Sequence, residues 1–193
     1  FFDDVNPETA QKIQKKINGM SWKCKLLNLP CFVPDQKVLA IVDAQKDFID
    51  GSMGVGMEKW KKAKAAIIDL MKKEKYDSIV YTKDWHPANH CSFKPQGGPW
   101  PNHCVAGEKG AEIDAELLAV NIPSVTLNKG CNPNVEEYGI DVLPNVDNVK
   151  ELHLVGLCFD YCVQSCAKET VKTHPNTKIV VKKAGTVAID ENA

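Results

Sequence analysis

Residues 38–43 read Val38-Leu39-Ala40-Ile41-Val42-Asp43, an unbroken apolar run followed directly by a carboxylate. An apolar run without alternation is typical of a strand buried on both faces, as the strands of parallel sheets are. A carboxylate at the end of such a strand is costly to bury unless it is paired or functional. The stretch therefore predicts a strand of a parallel sheet with a functional Asp43 at its carboxyl end. A loop-capping aspartate is the alternative.

The same alternation of strand and helix continues along the chain. We predict further strands over 78–82, 124–127, 152–155 and 179–181, and helices over 57–75, 111–120 and 160–173. Alternating strands and helices imply right-handed crossovers, and hence an α/β fold with an open, mainly parallel β-sheet and helices on both faces. Residues 6–18 predict a short helix with Asn6 as its N-cap. We interpret residues 1–36 as an N-terminal helical appendage to a domain over 37–193.

The composition excludes several classes of protein. The chain has 193 residues with a net charge of −1, which gives no reason to expect nucleic acid or an anionic membrane as a partner. No apolar run approaches the roughly 20 residues of a membrane span. The acidic start, Phe1-Phe2-Asp3-Asp4, does not resemble a signal peptide, so we expect a cytoplasmic protein, with a nuclear location also compatible. The 8 cysteines then favour reduced thiols over a disulfide scaffold.

Polar residues with reactive side chains follow the predicted strands. Asp43 ends the first strand, Asp84 and His86 follow the second, Lys129 follows the third, and Cys162 follows the fourth. Ligands of open parallel sheets bind outside the carboxyl ends of the strands, where the strand order reverses. The spacing therefore predicts an active site that draws one or more groups from each of four strands.

Cys162 is the candidate nucleophile of this site. At the start of the predicted 160–173 helix, unpaired N–H groups and the helix dipole would stabilise a thiolate, and a nearby Lys129 would lower its pKa further. Asp43 is the candidate proton shuttle between thiol and substrate. A small buried hydrophobe, the role of most free cysteines, is the alternative for Cys162.

Three residues form a candidate metal site in a Pro- and Gly-rich stretch. Asp84, His86 and His103 offer the carboxylate and imidazole ligands of a catalytic divalent ion, and His90 is a candidate fourth ligand or outer hydrogen-bond donor. The alternative is a set of loop residues that make local hydrogen bonds.

These motifs together resemble the nicotinamidase branch of the isochorismatase-like cysteine hydrolases. The resemblance covers about residues 38–190. It is carried by Val42-Asp43-Ala44-Gln45, Asp84-Trp85-His86-Pro87, Trp100-Pro101-Asn102-His103-Cys104-Val105, Lys129-Gly130 and Asp160-Tyr161-Cys162-Val163.

The resemblance implies a nicotinamide hydrolase that acts in NAD salvage through a cysteine thioester. It implies a catalytic triad of Cys162, Asp43 and Lys129. It also implies one divalent ion, zinc in the first place with iron or manganese as alternatives, on Asp84, His86 and His103. A cis peptide before Cys158 would direct the backbone N–H groups of Cys158 and Cys162 into an oxyanion hole. The pocket residues implied are Phe48, Trp100 and Tyr138.

The chain departs from the family pattern at two places near the expected site. Lys46 stands where the family usually has Asn, and Cys158-Phe159 replaces the commoner Ala-Thr. The first alternative function is a cysteine amidohydrolase of the same superfamily that acts on another small amide. Such relatives generally lack the metal motif. A catalytically inactive metal-binding protein is the second. The sequence leaves a homo-oligomer open.

Overall fold

The computed structural model describes residues 35–144, 146 and 148–190. The predicted 6–18 helix lies outside the described residues, so the N-terminal appendage stays a prediction. Among the described residues, no helix combines the length and the apolar character needed to cross a membrane.

The five predicted strands are present and form one parallel sheet. Their bounds are β1 Gln36–Val42, β2 Ser78–Asp84, β3 Ser124–Lys129, β4 Val149–Leu157 and β5 Lys178–Val187. Each is longer than its apolar run, because backbone pairing continues into the flanking polar residues. The strand order is β3-β2-β1-β4-β5 and all pairs are parallel, which confirms the predicted α/β sheet.

The two faces of the sheet bury separate apolar clusters. Trp60, Ala63 and Ile67 lie on one face of the Met57–Lys73 helix and pack with the odd-numbered residues Leu39 and Ile41 of β1. The even-numbered residues of β1 pack on the opposite side with Val163 and Cys166. Burial of β1 from both sides explains why its sequence shows no alternation.

The predicted 111–120 helix is wrong in extent. A 3₁₀ turn over Lys109–Ala111 and a single α turn over Ala115–Leu118 replace it. Asp114 begins the α turn as its N-cap, with its Oδ1 accepting the N–H of Glu116 at 3.0 Å. Ile113 pairs with Gln45 in an isolated antiparallel bridge, which holds the backbone between the two turns extended. Tertiary pairing thus overrides the helical pattern. Two further short helical segments among the described residues are the α turn Lys46–Ile49 and the 3₁₀ turn Lys94–Gln96.

The predicted 160–173 helix divides into two parts. Phe159–Val163 forms a π-helical turn, and the α-helix proper is Gln164–Thr173. The N–H of Val163 donates to the carbonyl of Cys158 at 3.1 Å, a bond five residues back along the chain. Cys162 therefore lies in a π turn ahead of the α-helix, a type of turn that is frequent at functional sites.

The strand order reverses between the neighbouring strands β1 and β4. From β1 the chain continues to β2 on one side, and from β4 it continues to β5 on the other side. Asp43 follows β1 at this point and the 159–163 turn follows β4. Asp84 and Lys129 are the last residues of β2 and β3. The four strand ends thus bring the sequence-predicted polar residues to one edge of the sheet, the usual place for ligands in such folds.

Candidate active site

Lys129 is the centre of a buried cluster of charged groups. Its Nζ lies 2.9 Å from Oδ2 of Asp43 and 3.5 Å from Sγ of Cys162, and it also donates to Oδ1 of Asp84. Burial by itself would lower the pKa of Lys129, but the carboxylates of Asp43 and Asp84 outweigh it and hold that pKa well above its usual value. Lys129 is therefore a fixed positive charge in contact with both proposed reacting groups.

The carboxylate of Asp43 is fully buried, and a hydrogen bond fixes one of its two oxygens. Its Oδ1 accepts a hydrogen bond from Oγ1 of Thr82 at 2.6 Å, whereas Oδ2 accepts none within the described part of the chain and is balanced by the Lys129 charge. Burial raises the pKa of Asp43, and the ammonium of Lys129 opposes that rise. A carboxylate with a raised pKa is a stronger base, which fits Asp43 as the candidate proton acceptor.

Cys162 lies within reach of this base. Its Sγ and one carboxylate oxygen each of Asp43 and Asp84 all lie within 4.8 Å of one another. The side chain is only 4% exposed. Burial raises the pKa of Cys162 well above the usual value, and Lys129 only partly offsets this effect. The expectation of a lowered pKa for Cys162 is therefore wrong in direction, because desolvation and the two nearby carboxylates favour the protonated thiol.

Asp84, His86 and His103 come together as the sequence predicts. Nε2 of His86 lies 3.4 Å and Nε2 of His103 lies 3.9 Å from the same oxygen, Oδ2 of Asp84. The other nitrogen of each ring is held by a backbone carbonyl, Nδ1 of His86 by Gly130 at 2.9 Å and Nδ1 of His103 by Pro101 at 2.8 Å. An N–H donated at Nδ1 leaves a lone pair at Nε2, so both rings present a metal-binding nitrogen to the carboxylate. The three groups fit a divalent metal.

Backbone pairing holds the two histidine segments side by side. His86 and Val105 form an isolated parallel bridge, with the N–H of His86 donating to Cys104 at 3.1 Å and the N–H of Ala106 donating to His86 at 2.9 Å. The carboxylate of Asp47 also accepts the N–H of Cys104 at 2.7 Å. His103 is thus placed beside His86 although 17 positions separate them in the sequence.

His90 lies against this group but faces other partners. Its ring stacks on His86 with 4.1 Å between the ring centroids. Its Nδ1 lies 2.8 Å from Oγ of Ser92 and its Nε2 lies 3.1 Å from the carbonyl of Val135. Both nitrogens of His90 have partners outside the candidate metal group, and its role at that group stays a prediction.

A pocket opens beside the cluster. Its empty space measures about 330 Å³, part of it open to solvent. The implied residues Phe48, Trp100 and Tyr138 all line it, as do Cys158 and Cys162. The other lining residues are Met53, Asp84, His103, Glu136, Tyr161 and Ile189.

Aromatic side chains order one wall of this pocket. Nε1 of Trp100 donates to the hydroxyl of Tyr138 at 3.0 Å, and Tyr161 packs against both rings with centroids 5.5 Å away. Tyr161 lies in a matched motif, but it was not among the pocket residues that the resemblance implied. Its position next to Cys162 in the same motif was the available signal.

The peptide bond that leads into Cys158, just before the π turn Phe159–Val163, has an unusual conformation. The Leu157–Cys158 peptide is cis, as the resemblance implied, and Cys158 is buried. The role of the Cys158 and Cys162 N–H groups as an oxyanion hole stays a prediction. Lys46, the other departure, forms an ion pair with Glu112, and its side chain is about half exposed.

Gln45 is a functional candidate that the sequence reasoning named only as part of a motif. It is fully buried, and its amide clasps the backbone of Asp84: Oε1 accepts the N–H of Asp84 at 2.8 Å, and Nε2 donates to the carbonyl of Asp84 at 2.8 Å. Nε2 also donates to Ala111 at 3.1 Å. The side chain thereby fixes the strand end that carries the metal-binding carboxylate.

Comparison with known proteins identifies relatives over most of the chain. The Isochorismatase domain family matches residues 37–186. The nicotinamidase/pyrazinamidase of Mycobacterium tuberculosis is 31% identical over 166 residues, which are 80% of this chain and 89% of that protein. The nicotinamidase of Escherichia coli is 30% identical over 157 residues, 66% of this chain and 73% of that protein.

Solved structures show the same fold. PnC1 from L. infantum, crystallised in complex with nicotinate, has a TM-score of 0.73 at 29% identity and covers 81% of this chain and 83% of its own. The pyrazinamidase of Pyrococcus horikoshii, crystallised in complex with zinc, has a TM-score of 0.64 at 28% identity and covers 81% of this chain and 89% of its own. The chain belongs to the isochorismatase domain family, with nicotinamidases among its relatives.

Proposed function

We propose that the protein is a nicotinamidase, an amidohydrolase that converts nicotinamide to nicotinate and ammonia. One observation carries the proposal: Lys129 contacts Asp43 and Cys162 on one side and Asp84 of the metal-binding group on the other. A candidate nucleophile, a candidate base and a candidate metal site thus meet in one buried cluster beside a pocket. The nicotinamidase relatives support the choice of amide.

The first half of the reaction forms a thioester. Asp43 takes the thiol proton on Oδ2, and the Lys129 ammonium stabilises the thiolate that results. The sulfur of Cys162 attacks the carboxamide carbon, and the backbone N–H groups of Cys158 and Cys162 hold the oxyanion. When the tetrahedral intermediate collapses, Asp43 returns the proton to the departing nitrogen. Ammonia leaves, and the acyl group stays bound to sulfur.

The second half releases the acid. Asp43, again a carboxylate, removes a proton from water as the water oxygen attacks the thioester carbon. The carbon–sulfur bond breaks, Cys162 leaves as a thiolate stabilised by Lys129, and the proton on Asp43 restores the thiol. Nicotinic acid is released and ionises to nicotinate, with its proton passing to solvent, and the residues return to their starting protonation states.

Asp84, His86 and His103 would hold one divalent ion, zinc in the first place, with iron and manganese as alternatives. When bound, such an ion supplies a Lewis acid that can orient a substrate and activate water. Phe48, Trp100 and Tyr138 line the pocket and offer flat walls for an aromatic ring. A product of this kind would enter NAD salvage, and we place the activity in the cytoplasm or nucleus.

The test is release of ammonia from nicotinamide by metal-loaded protein, with the Cys162→Ala variant as the matched control. Adding hydroxylamine should divert the acyl group to nicotinohydroxamate if a thioester forms. Absence of ammonia release from the metal-loaded protein would overturn the activity. Ammonia release without any hydroxamate would overturn the thioester while leaving the activity in place. Hydrolysis of another small amide in preference to nicotinamide would favour the alternative amidohydrolase.

A further inference from the structure

We propose that Ile189 closes the outer side of the substrate pocket and that Asp160 holds it there, so that this pair sets which ring substituents the pocket accepts. The proposal rests on the proposed function for its substrate class. Ile189 is the specificity-determining residue, and Asp160 is a positioning residue that acts through it.

The path of the chain brings Ile189 to the pocket. The last pair of the β4–β5 register joins Leu157 to Val187, so β5 ends beside the strand end that leads into the nucleophile turn. Two residues later Ile189 lines the same cavity as Cys162 and Trp100. Its side chain is 41% exposed, which places it at the mouth, between the ring site and solvent.

Asp160 ties this segment to the turn that carries the nucleophile. Its Oδ1 and Oδ2 accept the N–H of Ile189 at 3.0 and 3.1 Å, and Oδ2 also accepts the N–H of Asp190 at 2.8 Å. Hydrogen bonds to a carboxylate are stronger than those between neutral groups. Asp160 is two residues before Cys162 in the π turn, so one short segment carries the sulfur and holds the backbone of Ile189, which lines the same pocket.

A second contact supports the same placement. Nζ of Lys183, in β5, lies 4.7 Å from the centroid of the Phe159 ring, the first residue of the π turn. The β5 segment therefore contacts the π turn twice, through Lys183 within the strand and through Ile189 after its end. The wall formed by Ile189 has a defined position relative to Cys162.

The consequence is a limit on substrate size. Phe48 and the Trp100–Tyr138 pair restrict the thickness of a ring, and Ile189 restricts its extent toward solvent. An unsubstituted heteroaromatic amide fits such a site, whereas a ring substituent that points to the mouth meets the Ile189 side chain. One methyl group in an apolar pocket changes relative rates by about tenfold or more.

The first arm of the test measures substrate preference. Ammonia release is followed with nicotinamide and with a panel of nicotinamides that carry one methyl group on each ring carbon in turn. Ile189→Ala should raise the ratio of kcat/KM, methylated over unmethylated, by about tenfold for at least one member of the panel. Val171→Ala, which shortens another exposed aliphatic residue (51% exposed) outside the pocket, should leave every ratio unchanged. An unchanged ratio in Ile189→Ala overturns the proposal.

The part of Asp160 is tested by combining variants. Asp160→Ala should shift the same ratio in the same direction, and Asp160→Asn, which keeps one oxygen acceptor, should shift it less. The double variant Asp160→Ala/Ile189→Ala should shift it no further than Ile189→Ala alone. Additive shifts would show that Asp160 does not act through Ile189.

A second arm does not depend on nicotinamide. Alkylation of Cys162 by small iodoacetamide and by bulky N-phenylmaleimide is compared by peptide mapping. Ile189→Ala should raise the maleimide rate relative to the iodoacetamide rate, and Val171→Ala should not. Absence of ammonia release from wild-type protein would overturn the proposed function alone. In that case, a raised maleimide ratio in Ile189→Ala would support the wall and an unchanged one would overturn it.

Discussion

The Nζ of Lys129 lies 3.5 Å from the Sγ of Cys162, with both side chains buried at the carboxyl edge of the sheet. The ammonium does not produce a resting thiolate, because burial and the nearby carboxylates raise the pKa of the thiol by more than Lys129 lowers it. In the proposed mechanism, this contact would stabilise the thiolate when Asp43 removes the proton.

Replacement of Cys162 by Ala should abolish hydrolysis while the fold and the metal content persist. Loss of a covalent nucleophile costs several orders of magnitude in rate. Steady-state ammonia release measures the rate, and circular dichroism with elemental analysis provides the control. A variant that retains about a tenth of the wild-type rate would contradict the assignment of the nucleophile.

The metal site should contain about one divalent ion per chain, as its single carboxylate and two imidazoles imply. His86→Ala or His103→Ala should lose the ion, because each removes an Nε2 that faces Asp84. His90→Ala should have a milder effect, since both of its ring nitrogens already have other partners. His174→Ala is the matched control, because Nε2 of His174 lies 3.2 Å from Oδ2 of Asp141 instead. Elemental analysis of never-chelated protein decides, and active protein without metal would show the site to be misassigned.

Replacement of Gln45 by Leu should weaken metal binding although Gln45 is not a ligand. The substitution removes both hydrogen bonds that clasp the backbone of Asp84. Loss of an outer partner of a metal ligand lowers affinity by about 10- to 100-fold. Competition with a chelator measures the affinity, and the exposed Gln96→Leu serves as the control. The activity of Gln45→Leu should recover at high metal concentration, and an affinity equal to wild type would refute the clasp.

Nicotinamide should be preferred over benzamide by at least about a hundredfold in kcat/KM. The two amides differ in the ring nitrogen, which is the atom that could occupy an open position on a metal held by Asp84, His86 and His103. A ring without it leaves a polar site unpaired and loses orientation toward the thiol. Pyrazinamide has a nitrogen at the same place and should behave like nicotinamide. Similar rates on benzamide would show that the metal does not orient the substrate.

The strands, and the polar residues at their carboxyl ends, can be predicted from the amino-acid sequence. Unbroken apolar runs such as 38–42 mark strands buried on both faces, and polar residues directly after them must reach one edge of a parallel sheet. Local pattern and connectivity suffice for this inference. They also suffice to propose Asp84, His86 and His103 as one metal site. In the structure, one possible ligand atom of each residue lies within 4.8 Å of the other two.

Tertiary structure alone decided the features that depend on residues far apart in the chain. The helix expected over 111–120 gives way to two turns because Ile113 pairs with Gln45. The direction of the Cys162 pKa shift follows from desolvation by surrounding groups, which no spacing encodes. The contact between Asp160 and Ile189 exists because β5 ends beside the nucleophile turn. Periodicity reports how one segment is buried, whereas pairing, desolvation and pocket walls arise only when distant segments pack together.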